Sequence, residues 1–130
     1  MGISQDGNRR ICQKTYYYNG RVNVMAKKLS EKIIKEVSEY KRLLEADDLP
    51  IVGMYVYGSH AKGTAREGSD IDVAIVSPKF KSPWLALDYL LSKLPYGKGW
   101  SIEPVGFNPA DFADKYSSLI NEIKTYGVEV

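Results

Sequence analysis

Two short apolar runs with a slim loop between them constrain this chain more than any other feature. Ile51 to Tyr57 and Asp70 to Val76 are rich in β-branched, aliphatic and aromatic residues, which is strand composition. Gly58 to Ser69 between them carries Gly58, Gly63 and Gly68 and almost nothing bulky, so it reads as a loop. The second run begins Asp70-Ile71-Asp72-Val73. Side chains alternate along a strand, so both carboxylates project to one side while Ile71 and Val73 face the core.

The remaining segments supply helices for such a sheet. From Met25 to about Leu44, the residues Leu29, Ile33, Val37, Tyr40 and Leu44 recur at three- and four-residue steps, which predicts an amphipathic helix. Asp47, Asp48 and Pro50 end it. Ser82-Pro83 has the form of an N-cap followed by proline at the first helical position, and Trp84, Leu87, Leu91 and Leu94 form the predicted apolar stripe up to Pro95. Gly97 and Gly99 mark a turn, and Trp100 to Phe107 reads as a third strand. Pro104 cannot donate to a ladder, so that strand belongs at an edge or ends there. Asn108-Pro109 repeats the cap-then-proline signal, and Phe112, Tyr116, Leu119 and Ile123 predict a last helix stopped at Gly127. The expected class is α/β (α+β): a small mixed sheet with helices packed on it.

Domain organisation follows from the same reading. Residues 25–130 are expected to form the domain. Residues 1–24 are a polar tail, either disordered and loosely docked or serving as a partner-binding arm. The chain has 130 residues, 44% hydrophobic and 26% charged, ordinary for one globular domain. Its net charge of +2 resides in the tail, where Arg9, Arg10, Lys14 and Arg21 face only Asp6. The rest is slightly acidic, so no broad nucleic-acid footprint is implied. Cys12 is the only cysteine and His60 the only histidine, which excludes an intramolecular disulfide and any Cys/His zinc cluster. No apolar run approaches the ~20 residues of a membrane span, and the N-terminus lacks a signal-type stretch. A soluble, cytoplasmic protein is expected.

The chemistry concentrates between Gly58 and Asp72. Glycine lets the backbone approach a bound group, and the turn's N–H groups with the Ser59 hydroxyl would cradle phosphate oxygens. Asp70 and Asp72 repel each other unless protons or cations intervene, and two divalent ions would neutralise them and clamp a phosphoryl group. Mg²⁺ suits such an all-oxygen site. Glu103, on the third predicted strand, would complete a three-carboxylate cluster if that strand lies beside the second. It would then act as a metal ligand or draw the proton from an attacking hydroxyl. A P-loop fits poorly, because Thr64 stands where its lysine belongs. Glu67 lies in the loop and Asp88 on a helix, away from the pair. His60 has no catalytic partner in view and reads as a loop residue touching nucleotide or solvent. Tyr55, Tyr57, Trp84 and Tyr89 read as core aromatics.

Gly58-Ser59, Ala61, Gly63, Ala65-Arg66 and Ser69-Asp70-Ile71-Asp72 together resemble the signature of the DNA polymerase beta-type nucleotidyltransferase superfamily. The minimal nucleotidyltransferases of prokaryotes are the most similar group. The resemblance is densest over Tyr57–Val76 and extends in element order across Met25–Val130. It implies a nucleotidyltransferase-type fold, with Gly58 and Ser59 holding the nucleotide's phosphates and Arg66 and Ser69 as supporting residues near the triphosphate. It implies Asp70, Asp72 and Glu103 as ligands of two Mg²⁺ ions, and ATP or another NTP as substrate. The reaction expected is transfer of an NMP, AMP by preference, to an acceptor hydroxyl with pyrophosphate leaving. So short a chain has little room for an acceptor pocket, and minimal members are often the antitoxin half of a module with a HEPN-type toxin. The acceptor expected is therefore a hydroxyl on such a partner protein, with a homo-oligomer also possible. The alternative is a non-catalytic antitoxin or binding module that neutralises its partner by complex formation. A small-molecule acceptor such as an aminoglycoside ranks third.

Overall fold

Ser30 decides where the long first helix begins. In the computed structural model, which describes residues 29–95 and 101–130 and the backbone of Tyr17–Tyr18 and Arg21–Val22, its Oγ accepts a hydrogen bond from the Ile33 N–H at 3.2 Å. Capping of this kind satisfies one of the donors that a helix start leaves unpaired. The helix therefore runs Glu31–Ala46 rather than from Met25, and the expected turn at residues 25–28 lies outside the described residues. Of the predicted stripe, Ile33, Val37, Tyr40 and Leu44 are buried on the helix, and Leu29 is buried just before it.

The elements in chain order are β1 (Tyr17–Tyr18), β2 (Arg21–Val22), α1 (Glu31–Ala46), β3 (Gly53–Tyr57), α2 (Ser59–Lys62), β4 (Ile71–Val76), α3 (Pro83–Ser92), β5 (Ile102–Phe107), α4 (Pro109–Phe112), α5 (Ser118–Tyr126) and β6 (Val128–Glu129). β1 and β2 pair antiparallel within the segment expected to be a tail. The other strands form one mixed sheet in the order β5-β4-β3-β6. β3 is antiparallel to β4 and to β6, and β4 and β5 are parallel, joined through α3 as parallel neighbours require. This is the expected mixed sheet with helices packed on it. β5 is an edge strand, as Pro104 demanded. β6 was not foreseen, because two residues carry no readable period.

The sheet has two unlike faces. Met54, Val56, Ile71, Val73, Ile75 and Ile102 pack in one cluster with α1 and α3. The alternate residues Ala74 and Phe107, with Tyr55, Tyr57 and Val105 packed alongside, meet Ile120 and Ile123 of α5 and Phe112 of α4. Tyr55 and Phe112 stack at 5.6 Å with rings 13° apart, and the Phe107 and Phe112 centroids lie 5.8 Å apart.

Two predicted stripes are corrected. On α3 the buried residues are Ala86 and Leu90, while Trp84 is 80% exposed and Leu91 43%. The helix is apolar nearly all round, so its phase is set by its seat. A side chain at Gly106 of β5 would come within 2.6 Å of the Ala86 Cβ, so Gly106 allows the helix to sit down on that residue. The predicted last helix is two helices. Asp114 Oδ1 accepts from the Tyr116 N–H at 2.9 Å and Ser117 recaps by accepting from the Ile120 N–H at 3.2 Å. The break shifts the phase, so Ile120 and Ile123 are buried while Tyr116 is 85% exposed. Among the described residues no helix is long and apolar enough to cross a membrane.

Candidate active site

The β3–β4 connection is not wholly loop. β3 leads through Gly58, at φ +75°, into the single turn of α2. A Cβ at Gly58 would stand 2.3 Å from Asp72 Oδ2, so only glycine suits both the backbone conformation and the space. Lys62 N–H donates to the Gly58 carbonyl at 3.0 Å. The N–H groups of the turn before it have no intrahelical acceptor, as at any helix start, and remain available for an anion. Ser59 sits in this turn, half-buried.

Register brings the carboxylates together. Asp72 on β4 lies opposite Tyr57 of antiparallel β3 and opposite Glu103 of parallel β5. Asp70 falls just before β4, whose pairing with β5 begins at Ile71 opposite Ile102. Asp70 is thus an exposed residue at the strand's threshold, not a strand residue as expected. The three acids nonetheless feel one another. Burial, and then the charges of Asp70 and Glu122, push the Asp72 carboxyl up, against an opposing hydrogen bond to Glu103. Glu103 is pushed up by a hydrogen bond shared with Asp70 and by that carboxylate's charge, then by burial and Asp72. Tyr57 is raised to about 12 by burial and by Asp72, Glu122 and Glu103, so its phenol stays neutral.

Asp70, Asp72 and Glu103 make no ion pair with lysine or arginine among the described residues. Crowded, uncompensated carboxylates are the oxygen-donor chemistry that a hard divalent cation takes, so these residues fit Mg²⁺ by donor type. Among the described residues, however, no three acidic or imidazole side chains are placed to hold one ion together.

The supporting residues are distributed differently from the expectation. Ser69 is occupied in its own turn: its Oγ accepts from the Arg66 N–H at 2.8 Å and its N–H donates to the Arg66 carbonyl at 2.9 Å. Arg66 is exposed. His60 Nε2 lies 3.2 Å from the Ser69 carbonyl oxygen. Sequence reasoning missed Glu122, which enters from α5 and pairs with Lys62 of α2 at 3.5 Å. Lys62 also lies 5.0 Å above the Tyr126 ring. Tyr57, read as a core aromatic, packs against the Ala74, Phe107, Ile120 and Ile123 cluster and also lies opposite Asp72. Glu122 has no local signal, because only the docking of α5 brings it there. Glu67 and Asp88 are exposed and stand apart from the cluster.

Two solved structures are similar to this chain to different degrees. A chain from a toxin–antitoxin complex crystallised with AMP-PNP superposes with a TM-score of 0.52 at 24% identity, over 71% of this chain and 69% of that one. A Sulfolobus solfataricus protein solved as a nucleotidyltransferase candidate gives a TM-score of 0.45 at 23% identity, over 62% of this chain and 74% of its own. No curated protein matches by sequence. The decisive likeness is to a family model for the nucleotidyltransferase domain, matched over residues 30–129. That span takes in the Gly58 turn, all three carboxylates and the strands that align them, and the chain belongs to the nucleotidyltransferase domain family.

Proposed function

We propose that this protein is a Mg²⁺-dependent nucleotidyltransferase that moves an NMP, most readily AMP, from a nucleoside triphosphate to a hydroxyl on a partner protein of the HEPN toxin class. The observation that carries this reading is the register pairing of Asp72 with Glu103, with Asp70 one step before the strand and the Gly58 turn against the Asp72 carboxylate. In this reading the turn's N–H groups and the Ser59 hydroxyl receive the triphosphate, with Arg66 free to approach from the loop. Asp70, Asp72 and Glu103 would hold the divalent ions, which when bound offset charge on the transferring phosphoryl group. The acceptor oxygen attacks the α-phosphorus, the bond to the β-phosphate oxygen breaks and pyrophosphate departs. Where Glu103 does not ligate an ion, its carboxylate would instead draw the proton from the attacking hydroxyl. No covalent enzyme intermediate is needed, so the protein's task is positioning and electrostatics.

An adenine nucleotide and a partner protein are in keeping with the likeness of fold to a chain from a toxin–antitoxin complex crystallised with AMP-PNP. Incubation with labelled ATP, Mg²⁺ and the cognate partner should transfer label, and the Asp70→Asn/Asp72→Asn variant should not. Transfer surviving that double change would overturn the assignment. A second reading, neutralisation of a partner by binding alone, is favoured by the lack, among the described residues, of three acids placed around one ion. Neutralisation retained by the double variant would support it.

A further inference from the structure

We propose that His60 is a positioning residue, an imidazole clasp that ties the phosphate-binding turn to the backbone immediately before Asp70. A carbonyl oxygen only accepts, so His60 Nε2 carries the proton and donates it to the Ser69 oxygen across 3.2 Å. The bond spans nine residues and joins the start of the β3–β4 connection to its end. The other described hydrogen bonds within residues 58–69 are local: Lys62 to Gly58, Gly63 and Thr64 to Ser59, and the two between Arg66 and Ser69. Asp70 is not in the sheet, since the ladder with β5 begins at Ile71 and the ladder with β3 at Asp72. Gly68, at φ +86° with open space around its Cα, adds no steric restraint of its own. His60 therefore makes the described hydrogen bond across the loop between the two halves of the site, the turn that would receive phosphate and the first of the acids, beside the packing of Ala61 in the cluster that holds Ile71. The role assigned to it rests on the nucleotidyltransferase reading, while the clasp itself does not.

The test uses the full chain with His60→Ala, His60→Gln and His60→Asn. Glutamine carries its Nε2 donor at the same distance along the side chain as the histidine Nε2, whereas asparagine places its nitrogen where Nδ1 stands. Loss of one net hydrogen bond should speed amide hydrogen exchange in the 63–70 segment about 3- to 10-fold in His60→Ala, with α1 and α3 unchanged. Transfer should fall by a similar factor in kcat, with a smaller change in KM for ATP. His60→Gln should restore both, and His60→Asn should resemble the alanine variant. Unchanged exchange in His60→Ala, or equal behaviour of Gln and Asn, would overturn the clasp. Restored exchange in His60→Gln without restored transfer would overturn its positioning role. If the wild-type chain transfers no label at all, the proposed function fails, and the exchange pattern still decides the clasp.

Discussion

The sheet face under α1 and α3 and the face that carries Asp72 and Glu103 are made from alternate residues of the same three strands, yet they obey different constraints. The first is closed by aliphatic side chains from two helices and holds the fold together. The second is only partly covered, by α4 and α5, and at its β4 entrance gathers acids that repel one another. The larger core lies on one side and, in the proposed reading, the chemistry on the other, so substitutions on the two faces should fail in opposite ways.

The largest separation is expected from the acids. Asp70→Asn/Asp72→Asn should lower transfer by at least about 10²-fold, the scale on which removing preorganised charge stabilisation acts, while the protein stays folded by circular dichroism. On the closed face, Ile75→Ala removes a fully buried side chain and should cost about 2–5 kcal/mol in denaturant unfolding, with activity per folded molecule largely preserved. Gly58→Ala lies on the border between the two. It forces a side chain into positive φ and towards Asp72, which should cost about 1–3 kcal/mol of strain together with transfer activity. Tyr40→Phe, deleting the buried hydroxyl that donates to the Leu90 carbonyl at 2.6 Å, should cost about 1 kcal/mol without touching the chemistry.

The smallest effect carries a sign that sharpens the contrast. Asp72 and Glu103 have folded-state pKa values above their ordinary ones. In the window just above the usual carboxylate range the native state therefore binds more protons than the unfolded chain, and stability declines as pH rises through it. Asp72→Asn should thus raise the melting temperature slightly at neutral pH, with the gain vanishing on acidification below the carboxylate range. A variant less stable than wild type at neutral pH would mean that burial and the neighbouring charges do not penalise the Asp72 carboxylate.

Some of this was legible before any fold was known. The α1 stripe, the edge position implied by Pro104 and the coupling of Gly58-Ser59 to Asp70 and Asp72 are carried by spacing that a few residues define. What could not be read has identifiable causes. α3 is apolar around its circumference, so its sequence has no phase to reveal, and Ala86 rather than Trp84 faces the sheet because Gly106 lets it. The last helix was misjudged because Asp114 and Ser117 re-cap it mid-run. β6 is too short to show a period. His60 looked isolated because its acceptor is a backbone carbonyl, which no side-chain pattern announces.

By itself the sequence determined the longer local elements and the residue types of the site, since helix and strand periods and the conformational demand of Gly58 depend on near neighbours. The tertiary structure alone decided that Glu103 stands opposite Asp72, that Glu122 and Tyr57 enter the same electrostatic field, and which face of α3 is buried. Those outcomes depend on strand register and helix docking, in which segments tens of residues apart compete to bury apolar surface, and no local spacing encodes the winner.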